Sequence, residues 1–151
     1  MKKICLVASS GGHFSQLKML EKLQEKYKIF YVTEKTNYHQ NNQSIKYYMV
    51  QVNRKELLCI IKLFFVFIKS LYILLKEKPD VIISTGALVT IPMCILGKIM
   101  EKKVIYIESF ANINTPTKTG KLMYKVSDKF YVQWKSMLKC YPNATYMGGL
   151  Y

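Results

Sequence analysis

Cysteine is sparse and poorly spaced for metal. The chain has four, Cys5, Cys59, Cys94 and Cys140, separated by 54, 35 and 46 residues, so no CxxC pair or other zinc-ligand pattern exists. No zinc-stapled fold is expected, and each thiol, set in an apolar or mixed stretch, reads as reduced and mostly buried in a cytoplasmic protein. The GxGxxG fingerprint is missing, which disfavours dinucleotide binding. A Walker motif is missing too, because neither Gly97-Lys98 nor Gly120-Lys121 is followed by Ser or Thr. The apolar run behind Met1-Lys2-Lys3 stops after five residues, short of the roughly 7–15 that an export signal needs. No repeat, linker or low-complexity segment divides the chain. Acidic residues are few, nine against 23 basic ones, for a formal charge of +14. That excess points to an anionic partner, whether nucleic acid, acidic lipid or a phosphorylated substrate.

What is present is a core for one domain. The 151 residues are 50% hydrophobic and 21% charged, which excludes intrinsic disorder and is long enough to fold without a disulfide or metal. Residues 4–8 form a continuous apolar run, as expected of a parallel strand buried on both faces. Phe14, Leu17, Leu20 and Leu23 follow at helical spacing. Further strands fit residues 28–33, 45–52, 81–84, 104–108, 130–132 and 144–147, with residues 36–44 a polar loop in which His39 reads as solvated. Helices fit 55–76, ended by Pro79, then 91–100 and 121–126, with a last short one before the final strand. Alternation of this kind predicts an α/β fold: one Rossmann-like domain over residues 1–151, its sheet mostly parallel and doubly wound. Ligands of such sheets bind at the carboxyl ends of the strands. Interest therefore falls on Ser9–His13, Glu34, Ser84–Gly86, the start of the 108–112 loop and Gln133-Trp134.

At Ser10-Gly11-Gly12-His13, two glycines allow a tight turn and close approach of a ligand to the backbone, and a helix start favours anions. His13 has two readings: a side chain that shapes the loop, or a base or phosphate donor at a ligand-facing turn. Glu34 stands where a ribose-binding acid sits in dinucleotide enzymes. Glu108 ends an apolar strand. It is either a carboxylate that orders the following loop or a catalytic group, and no second carboxylate lies at fixed spacing to pair with it. Trp134 and the twelve tyrosines read as packing. No metal site or resident cofactor is expected.

Residues 57–75 are apolar at sixteen of nineteen positions, about 28 Å of helix at 1.5 Å per residue, close to a bilayer core. Lys62 and Lys69 near mid-span argue against crossing, at roughly 2.5–3.5 kcal/mol each. A single span would also split the sheet across the bilayer. Lys55, Lys62, Lys69 and Lys76 recur every seven residues and so share one narrow stripe. With one face on the sheet, apolar surface including Phe64 and Phe65 is left beside that stripe. Such an arrangement suits an anionic membrane interface; a helix covered by a protein partner is the other reading. No nucleic-acid motif accompanies the charge, and nucleic acid is not an expected partner.

The stretch Val7-Ala8-Ser9-Ser10-Gly11-Gly12-His13-Phe14-Ser15-Gln16-Leu17 resembles the opening of bacterial capsule and exopolysaccharide glycosyltransferase accessory subunits. Ser84-Thr85-Gly86-Ala87, Tyr106-Ile107-Glu108-Ser109, Gly120-Lys121-Leu122, Tyr131-Val132-Gln133-Trp134 and Tyr141-Pro142 continue the resemblance in order. The chain is also similar to the membrane-anchoring subunit of the eukaryotic two-part GlcNAc transferase acting on dolichol-linked acceptors, and to the N-terminal half of the single-chain transferase that makes peptidoglycan lipid II. The resemblance implies the N-terminal, acceptor-side domain of a GT-B transferase split between two chains. Its partner would hold most of the site for a UDP-sugar donor, and the acceptor would be a polyprenyl-diphosphate-linked sugar. Ser10, Gly11, Gly12, His13, Thr85 and Gly86 would then line the acceptor site, with His13 and Glu108 as catalytic candidates. A peripheral subunit at the cytoplasmic face of the membrane is implied, with the 55–76 helix doing any membrane work. Two classes stay open: a catalytic half, or an adaptor that only recruits and activates its partner.

Overall fold

The computed structural model describes residues 1–36, 45–53 and 55–151; His39 and most of the expected 36–44 loop lie outside them. Seven strands, β1 (Lys3–Val7), β2 (Lys28–Glu34), β3 (Ile45–Met49), β4 (Val81–Ser84), β5 (Lys103–Ile107), β6 (Lys129–Val132) and β7 (Thr145–Tyr146), form one sheet in the order β3-β2-β1-β4-β5-β6-β7. Every pairing is parallel. The continuous apolar run in β1 has the expected cause. The strand lies between β2 and β4, and residues 4–8 are buried on both faces. From β1 the chain winds outward first through β2 and β3, then returns to add β4 on the other side. The β1/β4 junction is therefore the switch point of the sheet, where open α/β folds bind ligands.

Helices α2 (Cys59–Glu77), α3 (Ile91–Ile99) and α4 (Lys118–Val126) cover one face. There Val66, Ile73, Leu74, Met93, Cys94 and Met123 pack on alternate residues of the central strands. The opposite face has lighter cover, from α1 (Gly12–Lys18), a 3₁₀ segment at Glu21–Glu25 and Leu150 of the C-terminal tail. The first helix is shorter than its apolar pattern suggests. Phe14, Leu17, Leu20 and Leu23 recur every three residues, the period of a 3₁₀ helix, and the chain adopts that tighter winding in the second half of the segment.

Several expected boundaries shift for local reasons. The third strand ends at Met49, and residues 50–53 bend so that the Val52 N–H reaches the Glu34 carboxylate at 3.1 Å. The long helix begins at Cys59, not at residue 55. The side-chain oxygen of Asn53 accepts from the Lys55 N–H at 3.1 Å and its carbonyl accepts from Glu56, so a turn competes with the helix there. Lys55 thus leaves the lysine stripe. At the other end, Lys78 adopts a left-handed conformation (φ +46°) ahead of Pro79 and stops α2. The fourth helix gains a turn over its expected start because Thr117 caps it, accepting from the Gly120 N–H at 2.7 Å.

On α2 the buried residues Val66, Ser70, Ile73, Leu74 and Glu77 make one narrow face. The opposite arc, at about 100° per residue, carries Ile60, Ile61, Phe64, Phe65, Ile68 and Tyr72, all exposed. Lys62, Lys69 and Lys76 run along one border of that arc. Lys62 is ion-paired with Glu56, and Lys76 donates to the Tyr72 hydroxyl. Among the described residues, no helix is long and apolar enough to cross a membrane. Ile73→Ala, which empties a core position, is expected to cost about 2–5 kcal/mol in urea unfolding. Phe64→Ser, on the outer arc, is expected to change stability by no more than about 0.5 kcal/mol. Equal losses at the two positions would mean that the arc is core.

Candidate functional site

The carboxyl ends of the strands open onto a cleft of about 500 Å³. His13, just after β1, stands on one side; Glu34, Asn53 and Lys55 come from the ends of β2 and β3; Tyr106 is contributed by β5; Lys118 and its neighbours at the start of α4 stand across from them. Glu34 accepts from the Val52 N–H and, at 3.4–3.5 Å, from the Ser10 N–H and hydroxyl. One buried carboxylate therefore fastens both the glycine turn and the loop into α2. Lys55 and Lys118 give the cleft two cations.

His13 is tied to the turn after β4. Its Nδ1 lies 2.7 Å from the Thr85 carbonyl oxygen, and the Thr85 hydroxyl donates to the His13 carbonyl, also at 2.7 Å. A carbonyl oxygen only accepts, so Nδ1 carries the proton, and Nε2 is the nitrogen left for the cleft. Beneath the ring, Gly86 has φ +113°, and a Cβ there would come 2.9 Å from the Tyr106 hydroxyl and 3.2 Å from His13 Cε1. Only glycine fits that position.

The six residues that the resemblance assigns to the acceptor divide into two groups. Ser10, Gly11, Gly12 and His13 lie at the surface of the turn. A Cβ on Gly11 or Gly12 meets nothing within 4 Å. Gly11 needs its φ of +76°, whereas nothing within this chain calls for glycine at position 12. Thr85 and Gly86 are buried under His13, and the Thr85 hydroxyl is spent on the His13 carbonyl. Their contacts are with the histidine and not with the open cleft.

Glu108 lies 1% exposed, behind the cleft and outside its lining. Its carboxylate accepts from the Ser109 N–H at 2.9 Å, the Thr117 hydroxyl at 3.0 Å and the Tyr141 hydroxyl at 2.7 Å. Burial first, then the carboxylate beside it, pushes the Tyr141 hydroxyl well above the usual tyrosine range. Because Thr117 also caps α4, Glu108 sets where that helix begins. Of its two readings, the geometry is that of the loop-ordering carboxylate, served by neutral donors. Gln133 donates to Gln16 at 2.8 Å and to the Glu108 carbonyl at 2.9 Å, and Trp134 packs on Phe110 at 4.7 Å between centroids. Trp134 is a packing residue as expected, whereas Gln133 is a buried hydrogen-bonding link between α1, the loop after β5 and the C-terminal tail. Burial pushes the Cys94 thiol up to about 12, leaving it inert at neutral pH. Among the described residues no cluster of His, Cys, Asp or Glu is arranged to hold a metal ion.

Sequence reasoning missed Lys118, Thr119 and Asn53 as cleft residues, and it assigned Lys55 to the helix. The available signals were a Thr three residues before Gly120, which is a cap, and an Asn before the apolar run, which is a turn former. Gly120→Ala would drive a Cβ to 1.8 Å from Glu108 Oε2 and 2.6 Å from the Tyr141 hydroxyl. It is expected to lose roughly 1–3 kcal/mol in urea unfolding. Wild-type stability in that variant would contradict this account of Glu108.

Residues 4–150 match the family described as oligosaccharide biosynthesis protein Alg14 like. The mouse UDP-N-acetylglucosamine transferase subunit ALG14 is 27% identical over 177 residues, covering 97% of this chain and 82% of that protein. Its Candida albicans namesake is 35% identical over 89 residues, 54% of this chain and 40% of the relative. Among solved structures, MurG of Acinetobacter baumannii superposes with a TM-score of 0.75 at 15% identity, over 90% of this chain and 43% of that one. A UDP-N-acetylglucosamine 2-epimerase from Rickettsia bellii gives 0.76 at 16% identity, over 99% and 45%. These likenesses are of fold, a Rossmann-like domain of the GT-B kind, and the chain spans less than half of each structure. With the match running from the first strand to the last residues of the tail, the chain belongs to the Alg14-like family of oligosaccharide biosynthesis proteins.

Proposed function

We propose that this chain is the non-donor-binding subunit of a split GT-B glycosyltransferase, which recruits a donor-binding subunit as a heterodimer and presents a polyprenyl-diphosphate-linked sugar to it. The observation that carries this reading is the family match over residues 4–150, joined to a cleft at the switch point of the sheet. A histidine and two lysines line that cleft, and the glycine turn Gly11-Gly12 precedes the histidine at its rim. The acceptor diphosphate sits by Gly11, Gly12 and the cleft lysines. His13 takes the proton of the acceptor hydroxyl on Nε2 as that oxygen bonds to the anomeric carbon of the donor sugar. The bond from that carbon to the nucleoside diphosphate breaks, and the diphosphate leaves with the electron pair, still held by the partner. Glu108 has no part in this step.

The relatives named above are UDP-N-acetylglucosamine transferase subunits, so UDP-GlcNAc is the first donor to test. The product is a lipid-linked sugar, an intermediate of oligosaccharide or polysaccharide assembly. Transfer is expected only when this chain and its partner are mixed with a short polyprenyl-diphosphate sugar and a nucleotide sugar. Robust turnover by the chain alone would overturn the split-enzyme reading. In the same assay Gly12→Val should abolish transfer while leaving partner binding and fold intact, because the space over Gly12 is open in this chain. The adaptor alternative is separated by His13→Ala: full activity with the partner bound would make this subunit a recruiter only.

The membrane contact is assigned to α2. Gln51, Val52, Asn53 and Lys55 line the cleft, and Leu57, 99% exposed, and Ile60, 82% exposed, follow Lys55 in the chain, so an acceptor lipid held in the cleft leaves along an apolar surface. The same proposal puts the chain peripherally on the membrane, at its cytoplasmic face. Each lysine near an anionic surface adds about 1 kcal/mol, weakened by salt. Lys69 and Lys76 are the better probes, since Lys62 is already paired with Glu56. The double variant Lys69→Glu/Lys76→Glu is expected to lose co-sedimentation with anionic vesicles and to keep its partner. Loss of the partner with unchanged vesicle binding would instead give this helix to a protein.

A further inference from the structure

We propose that Thr85 is a positioning residue that fixes His13 in its Nδ1–H form and aims Nε2 into the cleft. The inference rests on the reading of His13 as the base, and it reassigns Thr85 from acceptor binding. Two hydrogen bonds run in opposite directions between the same two residues: His13 Nδ1–H to the Thr85 carbonyl, and the Thr85 hydroxyl to the His13 carbonyl, both 2.7 Å. They join segments 72 residues apart. The paired bonds fix the ring's tautomer and the height of the backbone that carries it. Thr85 has no exposed surface, so the contact is sheltered from competing water.

The turn that supplies the Thr85 carbonyl is itself held rigid. The Gly86 N–H donates to the Ser84 hydroxyl at 3.1 Å, that hydroxyl donates to Thr90 Oγ1 at 3.0 Å, and Thr90 donates to the Ala87 carbonyl at 2.9 Å. This directional chain closes over two successive residues of positive φ, Gly86 at +113° and Ala87 at +81°. The second is a conformation that a residue with a Cβ adopts only when its surroundings enforce it. The result is a carbonyl held on line with Nδ1, above a glycine that leaves room for the ring. Without the Thr85 hydroxyl, the carbonyl of His13 keeps only its partner within α1, and the two turns lose the bond that sets their mutual register. Nε2 then no longer stays unprotonated and aimed at the acceptor hydroxyl.

Long-range ¹H–¹⁵N correlation on the ¹⁵N-histidine-labelled full chain reads the tautomer directly, with no need of substrate or partner. The neutral His13 ring should show a protonated-type nitrogen at Nδ1 and an unprotonated one at Nε2 in wild type and in Thr85→Ser. In Thr85→Val it should give a mixture of tautomers. In the partnered enzyme with UDP-GlcNAc and a polyprenyl-diphosphate sugar, Thr85→Val should lower kcat by about tenfold or more and hold the acceptor KM within about twofold, with Thr85→Ser restoring kcat. An Nε2–H tautomer in wild type overturns the proposal, as does a valine variant that keeps a pure Nδ1–H form or raises the acceptor KM alone. If valine is not tolerated by the fold, the wild-type and serine spectra still decide. Absence of transfer by any complex would count against the proposed function and leave the tautomer result to judge Thr85.

Discussion

The pairing of β1 with β4 is the constraint on which the candidate site depends. These strands run parallel in the register Ile4↔Val81 to Val7↔Ser84, so both chains leave the sheet at the same level and must turn side by side. The glycine turn and the Thr85–Gly86 turn are therefore neighbours by geometry. The hydrogen bonds between His13 and Thr85 complete a proximity that the ladder has already imposed. Glu34 at the end of β2 and Glu108 after β5 repeat the device on either flank, each a buried carboxylate that ties down the loop beside it. Acids are scarce in this chain, and two of its nine are used in this way.

On α2 two requirements conflict. A crossover helix needs an apolar face for the sheet, and buried Val66, Ile73 and Leu74 meet that need. The remaining apolar side chains exceed what a solvated helix carries and lie on the side away from the core. The same helix begins at the lip of the cleft, which joins the apolar surface to the polar site within a few residues.

Much of the architecture was legible because its causes are local. Uninterrupted apolar runs marked the strands buried on both faces, Pro79 marked the end of α2, and Gly11-Gly12 marked the ligand-facing turn. Failures came where a side chain competes with the backbone. Asn53 captures the N–H of Lys55 and delays α2, so a lysine expected on the stripe stands in the cleft. Thr117 starts α4 a turn early and brings Lys118 to the site. The period of three in Phe14, Leu17, Leu20 and Leu23 was visible but read as α-helical. That Glu108 orders the loop after it was one of the two sequence readings. Its partners Thr117 and Tyr141 were not legible, nor was the role of Thr85, because these contacts join residues nine to 72 apart and no spacing rule links them.

The long-range pairing at the centre of the sheet also sets an order of events during synthesis. Ile4 and its partner Val81 are separated by 77 residues, about 4–15 s of translation at 5–20 residues per second. Over that interval β1 has β2 beside it but lacks its other neighbour, and the turn bearing His13 has nothing to lean on. Helix α2 emerges from the ribosome before β4, while the sheet face that will receive Ile73 and Leu74 is still incomplete. For the eight residues between Ile73 and Val81, about 0.4–1.6 s at the same rate, both the inner and outer surfaces of α2 are uncovered. A nascent chain made beside a lipid surface can lodge the helix there before the domain closes, whereas one made in bulk water must keep the helix from other apolar chains until β4 arrives.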